Sequence, residues 1–257
     1  MKYFLMFLFI AACVQAQTNP ADIESFFQNH YGAFVMYDSA NGSFFRYNEK
    51  RCKEYFLPAS TFKIPNSVIG LETGVIEDEN YVIKWDGIER GKKEWNRDND
   101  LASAIEYSVV PYYQELARRV GKKRMQKFLD YFNYGNKKIG ERLDTFWLDN
   151  SLTISADGEV CFLRKFYSYN LPVSKRSINI VKKIISKEEY SNSTLYFKTG
   201  TGNLQNGIWI AWLVGYVEKG TNVYFYAFNV EGKSFSEVSG IRNKAPREIL
   251  KFLNIIE

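Results

Sequence analysis

Ser60 lies three positions before Lys63 in the stretch PASTFKIPNS, residues 58–67. The apolar pattern that follows predicts a helix from about Ser60 to Val75, with Ser60 at or just before its start. A spacing of three residues on a helix places two side chains on one face, within hydrogen-bond reach. This arrangement predicts a serine nucleophile assisted by a lysine. By itself S-x-x-K is a weak motif, and a helix-capping serine beside a solvated lysine is the alternative.

The base that would take the proton of Ser60 is not evident from composition. The chain has a single histidine, His30, and lacks the G-x-S-x-G turn that holds the serine of many Ser-His-Asp hydrolases. A lone histidine is more typical of a hydrogen-bonded surface or core residue, and without further His or Cys residues around it there is no zinc ligand set. A lysine at its ordinary pKa is almost fully protonated at neutral pH. An apolar pocket formed by Phe62, Ile64 and a tryptophan would lower the pKa of Lys63.

Both ends of the chain predict β-strands. Residues 32–48 place two apolar runs on either side of Asn41-Gly42, which indicates a hairpin. Residues 194–202 and 208–230 are rich in β-branched and aromatic side chains, which favour strands. A final helix is predicted from about Ala245 to Ile255.

The middle of the chain, from about Leu101 to Ile185, predicts several helices. They are interrupted at Gly121, at Tyr134-Gly135-Asn136 and at Leu171-Pro172. The order of strands, helices, strands and helix predicts an α+β fold with an antiparallel sheet built from both chain ends. We expect one domain over residues 17–257, with a helical subdomain of about residues 76–190 inserted in the sheet subdomain. A cleft between them would hold the site.

The first sixteen residues, MKYFLMFLFIAACVQA, predict a signal peptide (residues 1–16) and export to the periplasm. Two alternatives are a retained membrane anchor and a lipoprotein site at Ile10-Ala11-Ala12-Cys13, where Cys13 would carry the lipid. The other two cysteines, Cys52 and Cys161, are expected to be buried free thiols, with a disulfide between them as the alternative.

The formal net charge of +5 is spread along the chain. The densest basic stretch, residues 117–128, lacks both interleaved stacking aromatics and a nucleic-acid reader motif. It therefore predicts a solvated helix face, and we exclude nucleic acid as a partner.

Further motifs accompany S-x-x-K in the chain. The triplet Lys198-Thr199-Gly200 (K-T-G) lies far downstream on a predicted strand. Between the two motifs, in order, are W-D-G at Trp85-Asp86-Gly87, S-x-V at Ser108-Val109-Val110, Y-G-N at Tyr134-Gly135-Asn136, and Trp147 in FWLDNSLTISA. In these six elements the chain resembles the class D serine β-lactamases, or oxacillinases, within the penicillin-recognising serine enzymes. The resemblance covers nearly the whole mature chain.

The resemblance implies a β-lactamase/transpeptidase-like fold and β-lactam hydrolysis, which would confer antibiotic resistance. Ser60 would attack the β-lactam carbonyl and form an acyl-enzyme that water later hydrolyses. Lys63 would be carboxylated by CO₂ to N6-carboxylysine, stabilised by Trp147, and would act as general base in both steps. The family needs no metal and no cofactor apart from CO₂ or bicarbonate.

The same resemblance assigns the remaining site residues. Ser108 would relay a proton toward the leaving nitrogen. Lys198-Thr199-Gly200 and Arg242, in SGIRNKAP after the last strand, would bind the substrate carboxylate. The backbone N–H groups of Ser60 and Thr201 would form the oxyanion hole. Many family members have an aromatic residue at the position of Thr201, so a smaller and more mobile pocket wall is expected here.

Structural alternatives stand beside these roles. Trp147 could be plain core packing, and Lys198 a surface lysine on a strand. The W-D-G and Y-G-N elements could be ordinary turns. Two other functions share the motifs: a β-lactam sensor, which would need membrane spans and a signalling domain upstream, and a cell-wall transpeptidase or carboxypeptidase, which usually has an anchor or further domains. A homodimer is left open.

Overall fold

A computed structural model describes residues 19–204 and 207–257. Its described part contains one six-stranded sheet in which every neighbouring pair of strands is antiparallel. The strands are β1 (Gly32–Asp38), β2 (Ser43–Tyr47), β3 (Ser186–Glu189), β4 (Ser193–Asn203), β5 (Trp209–Lys219) and β6 (Asn222–Gly232). Their order across the sheet is β2-β1-β6-β5-β4-β3. The two chain ends therefore meet where β1 pairs with β6, as predicted.

Helices cover both faces of the sheet. The α-helices are α1 (Glu49–Cys52), α2 (Lys63–Glu72), α3 (Leu101–Glu106), α4 (Val110–Val120), α5 (Lys122–Phe132), α6 (Ala156–Tyr167), α7 (Lys175–Ile184) and α8 (Phe235–Phe252). Short 3-10 helices span Pro20–Phe27, Ala59–Phe62 and Lys93–Trp95. Helix α8 packs with Pro20–Phe27 on one face of the sheet, and α6 packs on the other.

The alternation of side chains along the strands creates two cores. On β5, Trp212 and Val214 belong to the larger core, which includes α2 to α7. Their neighbours Ala211 and Leu213 belong to the smaller core, which includes α8. Because successive side chains on a strand point to opposite faces, one buried strand contributes to both cores.

The predicted α+β fold is confirmed in its main features. The hairpin across Asn41-Gly42 forms, with Asp38 opposite Ser43. The predicted start of the last helix was wrong, because α8 begins at Phe235, after the capping residue Ser234, and continues through Pro246. The Pro20–Phe27 helix and the short strand β3 were not predicted.

The predicted signal peptide and Cys13 lie outside the described residues. Within the described ranges no helix is both long and apolar enough to cross a membrane. Cys52 and Cys161 are both free thiols. Cys52 is buried, but the prediction was wrong for Cys161, which is exposed on the outer side of α6.

Candidate active site

Ser60 and Lys63 lie together where a 3-10 turn passes into a helix. Ser60 belongs to the Ala59–Phe62 turn, and Lys63 is the first residue of α2. The Nζ atom of Lys63 donates a hydrogen bond to Ser60 Oγ at 2.8 Å, as their spacing predicts. Ser60 is half-buried, whereas Lys63 is only 1% exposed. The serine can therefore meet a substrate while the lysine is screened from water.

Burial changes the acid–base character of Lys63. Desolvation holds the pKa of its ammonium well below the ordinary value, and the positive charges of Lys198 and Lys92 lower it further. The Nζ atom also lies 5.2 Å from the centre of the Tyr113 ring. Burial therefore favours the neutral amine form of Lys63 over the ammonium.

Trp147 has an indole N–H for which no acceptor is found among the described residues. Its side chain is fully buried, and Phe62 stacks on it at 5.6 Å between ring centres. Its carbonyl oxygen accepts a hydrogen bond from the Ala59 N–H at 3.1 Å, which ties its loop to the Ser60 turn. The indole Nε1 is buried and unpartnered, and such a donor costs about 1–3 kcal/mol. A buried donor without an acceptor is not explained by core packing alone.

Strand β4 brings the K-T-G residues to the same turn. Lys198 and Gly200 pair with β5 residues of the larger core, whereas Thr199 and Thr201 pair with residues of the smaller core. A Cβ atom on Gly200 would lie 2.8 Å from the Pro58 carbonyl oxygen and 3.3 Å from the Ser60 nitrogen. Glycine at this position therefore allows β4 to approach the nucleophile's backbone closely.

Ser108 reaches this centre from the helical side. It lies between α3 and α4 with a φ of +55°, a left-handed conformation that a residue with a side chain seldom adopts. Its Oγ accepts a hydrogen bond from Lys198 Nζ at 3.3 Å. The structure thus brings Ser60, Lys63, Ser108 and Lys198 together from three elements that are distant in sequence.

Arg242 closes the opposite side of the site. It lies within α8 and not, as predicted, in a segment between the last strand and a later helix. Its guanidinium donates a hydrogen bond to Thr201 Oγ1 at 2.7 Å. Burial, assisted by the charge of Arg247, lowers its pKa to about 10, so Arg242 remains a cation at neutral pH.

Lys198 is the second perturbed cation of the site. It is 2% exposed, and burial, with the charges of Arg242 and Lys92, lowers its pKa to about 7. An anionic group that binds beside Lys198 would favour its protonated form. The site is therefore prepared to receive a carboxylate together with a proton.

The W-D-G and Y-G-N elements are local structural features. Gly87 has a φ of +78°, and Asp86 pairs with Arg90 across the turn. Gly135 has a φ of +54°, and a Cβ atom there would lie 2.1 Å from the Thr153 carbonyl oxygen. Both glycines hold backbone shapes that other residues resist, which supports the turn interpretation of both motifs.

His30 has hydrogen-bond partners away from the site. Its Nε2 lies 2.8 Å from Glu237 Oε1, and its Nδ1 lies 2.8 Å from the Gln28 carbonyl oxygen. In the parts of the chain that the structure describes, no group of three or more His, Cys, Asp or Glu side chains could hold a metal ion. The polar side chains that the structure brings to Ser60 are hydroxyl, amine and guanidinium groups.

One buried group beneath the nucleophile was missed from sequence. Glu159 on α6 is 2% exposed, and its Oε1 accepts hydrogen bonds from Thr61 Oγ1 at 2.6 Å and Tyr134 OH at 3.0 Å. Burial raises its pKa to about 7. A signal was available, because Glu159 shares the apolar face of its helix with Ala156 and Leu163.

Glu159 is expected to make stability depend on pH. The folded protein holds a proton on this carboxyl up to a pKa of about 7, whereas the unfolded chain loses it near 4.5, so stability falls as pH rises between these values. We expect the free energy of unfolding to fall by about 3 kcal/mol more from pH 4 to pH 8.5 in the natural protein than in Glu159→Gln. Urea unfolding at both pH values measures this difference.

Glu188→Gln is the matched control, because Arg247 holds the pKa of Glu188 below its ordinary value. Glu188→Gln should lower the free energy of unfolding mainly at pH values above the pKa of Glu188 in the unfolded chain. Relative to this variant, the natural protein should therefore gain stability as pH rises, whereas relative to Glu159→Gln it should lose stability. Equal pH slopes for the natural protein and Glu159→Gln would contradict the assignment of a buried, protonated Glu159.

Comparison with known proteins agrees with this arrangement. Residues 25–251 match the model of the penicillin binding protein transpeptidase domain, which is the class of protein that the fold and the site define. The chain is 47% identical to the β-lactamase OXA-5 of Pseudomonas aeruginosa over 203 residues, covering 78% of this chain and 76% of that protein. It is 44% identical to the β-lactamase OXA-48 of Klebsiella pneumoniae, covering 88% and 84%. The chain belongs to the class D serine β-lactamase family.

Superposition on solved structures indicates the same family. A class D β-lactamase from Nostoc superposes with a TM-score of 0.88 at 36% identity, covering 93% of this chain and all of that one. The C-terminal domain of the Bacillus licheniformis BlaR penicillin receptor superposes with a TM-score of 0.87 at 33% identity, covering 91% of this chain and 96% of that one. The fold is therefore shared by β-lactamases and by a receptor domain.

Proposed function

We propose that this protein hydrolyses β-lactams through an acyl-enzyme on Ser60, with Lys63 carboxylated by CO₂ as the general base. The observation that carries the proposal is the 2.8 Å contact between Ser60 Oγ and the buried Nζ of Lys63. A neutral amine can add CO₂ with loss of a proton, and the resulting carbamate supplies an anionic oxygen that accepts the proton of Ser60 and later that of water. The buried Nε1 of Trp147 supports it as a hydrogen-bond donor to that anion.

The other residues are proposed to bind and polarise the substrate. Arg242 contacts Thr201 and lies close enough to Lys198 for their charges to interact, so the two basic side chains are suited to a carboxylate. Because the pKa of Lys198 is about 7, carboxylate binding should be coupled to proton uptake. Ser108, within hydrogen-bond distance of Lys198, can pass a proton to the leaving nitrogen. The N–H groups of Ser60 and Thr201 are proposed as the oxyanion hole.

Turnover of a chromogenic cephalosporin tests the proposal. We expect continuous hydrolysis by the purified protein, and an increase on adding bicarbonate at mildly acidic pH, where a carbamate is lost. A stoichiometric burst that stops, with or without bicarbonate, would exclude the enzyme and favour the sensor, which the likeness to the BlaR receptor domain keeps as second candidate. Full activity with no bicarbonate response would indicate another base.

Three finer statements remain predictions. Export to the periplasm rests on the pattern of residues 1–16, with lipidation at Cys13 as the alternative. A homodimer is left open. The substrate range within the β-lactams is expected to reflect the small side chain of Thr201, half-buried beside Arg242.

A further inference from the structure

Lys92 lies in the loop that precedes α3, and its contacts lead directly to the active site. Its Nζ atom lies 5.1 Å from the centre of the Trp95 ring. The indole of Trp95 donates a hydrogen bond to the Tyr107 carbonyl oxygen at 3.2 Å. Tyr107 directly precedes Ser108, whose Oγ accepts from Lys198. This series of contacts connects Lys92, through Trp95, to the residue that directly precedes Ser108.

The charge of Lys92 affects two titratable groups of the site. It contributes to the lowered pKa values of both Lys63 and Lys198. Repulsion between like charges weakens as the distance between them grows. The electrostatic effect therefore agrees with the contacts in placing the Lys92 ammonium near the site.

Lys92 is also available to bind a ligand. Its side chain is exposed, and among the described residues it forms no salt bridge. Two neighbouring cations of the same loop are engaged: Arg90 pairs with Asp86, and Lys84 pairs with Asp98. An approaching anion can therefore bind Lys92 without displacing an internal carboxylate.

The position of Lys92 indicates which part of a substrate it meets. The ring carboxylate common to β-lactams is accounted for by Lys198 and by Arg242, which enters from α8 on the smaller-core face of the sheet. Lys92 belongs to the helical side, with Ser108 and Trp95. The ring carboxylate and the acylamino group lie at opposite ends of a penicillin's ring system, so a carboxylate bound near Arg242 would direct the acylamino side chain toward Lys92.

We propose that Lys92 is a specificity-determining residue that favours β-lactams with a second carboxylate in the acylamino side chain. This inference rests on the proposed function. The ammonium gives such substrates an attraction that substrates with neutral side chains lack, and, because the ammonium is exposed, salt weakens the attraction.

Benzylpenicillin and carbenicillin form a matched pair for the test, because carbenicillin differs by one carboxylate on the side chain. We expect Lys92→Gln to lower the ratio of kcat/KM for carbenicillin over benzylpenicillin by about threefold to tenfold, and Lys92→Glu to lower it further. Lys93→Gln removes the adjacent exposed lysine and should leave the ratio unchanged. In the natural protein, raising NaCl from about 0.05 M to 0.5 M should lower the ratio as well.

Other results of these kinetic measurements would contradict either the role of Lys92 or the proposed function. An unchanged ratio in both Lys92 variants, or an equal loss in Lys93→Gln, removes the specific role of Lys92. An equal fall for both penicillins assigns Lys92 a general effect on Lys63 and Lys198 and leaves the proposed function intact. Absence of turnover of either penicillin by the natural protein, with bicarbonate present, overturns the proposed function itself.

Discussion

Lys63→Ala is expected to reduce kcat for a penicillin by about 10²- to 10⁴-fold, the range that a general base contributes. The substitution removes the only amine within hydrogen-bond distance of Ser60 Oγ among the described residues. Because hydrolysis of the acyl-enzyme needs the same base, any acyl group that forms on Ser60 should persist. Steady-state kinetics and intact-protein mass spectrometry after mixing with penicillin measure both effects.

Lys182→Ala is the control for Lys63→Ala. Lys182 is also partly desolvated, with a lowered pKa, but its Nζ donates to the Tyr167 carbonyl oxygen, away from the site. It should retain turnover and leave no lasting adduct. Added bicarbonate should not rescue Lys63→Ala, since no amine that could bind CO₂ remains within hydrogen-bond distance of Ser60 Oγ among the described residues. Near-normal kcat in a folded Lys63→Ala protein would show that another group is the base.

Trp147→Phe is expected to lower kcat by about 10- to 100-fold without added bicarbonate, and most of this loss should be recovered when bicarbonate is supplied. The phenyl ring keeps much of the packing against Phe62 and Phe146 but lacks the Nε1 donor. A hydrogen bond to a charged group contributes about 1.5–3 kcal/mol, which corresponds to this weakening of CO₂ binding. Activity titrated with bicarbonate gives the apparent affinity.

Trp212→Phe separates this effect from general loss of packing. Trp212 is equally buried, and its Nε1 donates to the Leu57 carbonyl oxygen at 3.0 Å. Its substitution should lower the free energy of unfolding but leave the bicarbonate concentration for half-maximal activity unchanged. If Trp147→Phe lost activity that bicarbonate did not restore, Trp147 would be a packing residue of the core.

The helix and strand patterns of the sequence were sufficient to predict the architecture, but they predicted the ends of helices less well. The hairpin at Asn41-Gly42 and the helix after Ser60 follow from local turn chemistry and side-chain periodicity, which act over a few residues. The start of α8 depends on the capping residues Ser234 and Glu237, a signal that precedes the apolar pattern. The short strand β3 forms only because β4 is there to pair with it.

The family, the fold class and the pairing of Ser60 with Lys63 could be predicted from the chain alone, because motif order and helical spacing are local properties. The chemical state of that pair depends instead on the packing of the whole protein. The lowered pKa of Lys63, the unpartnered indole N–H of Trp147 and the raised pKa of Glu159 all result from burial by elements distant in sequence. The position of Lys92 was likewise decided by the Trp95 contact with Tyr107. Burial and the distance between charges depend on how the whole chain packs, so local pattern could not supply them.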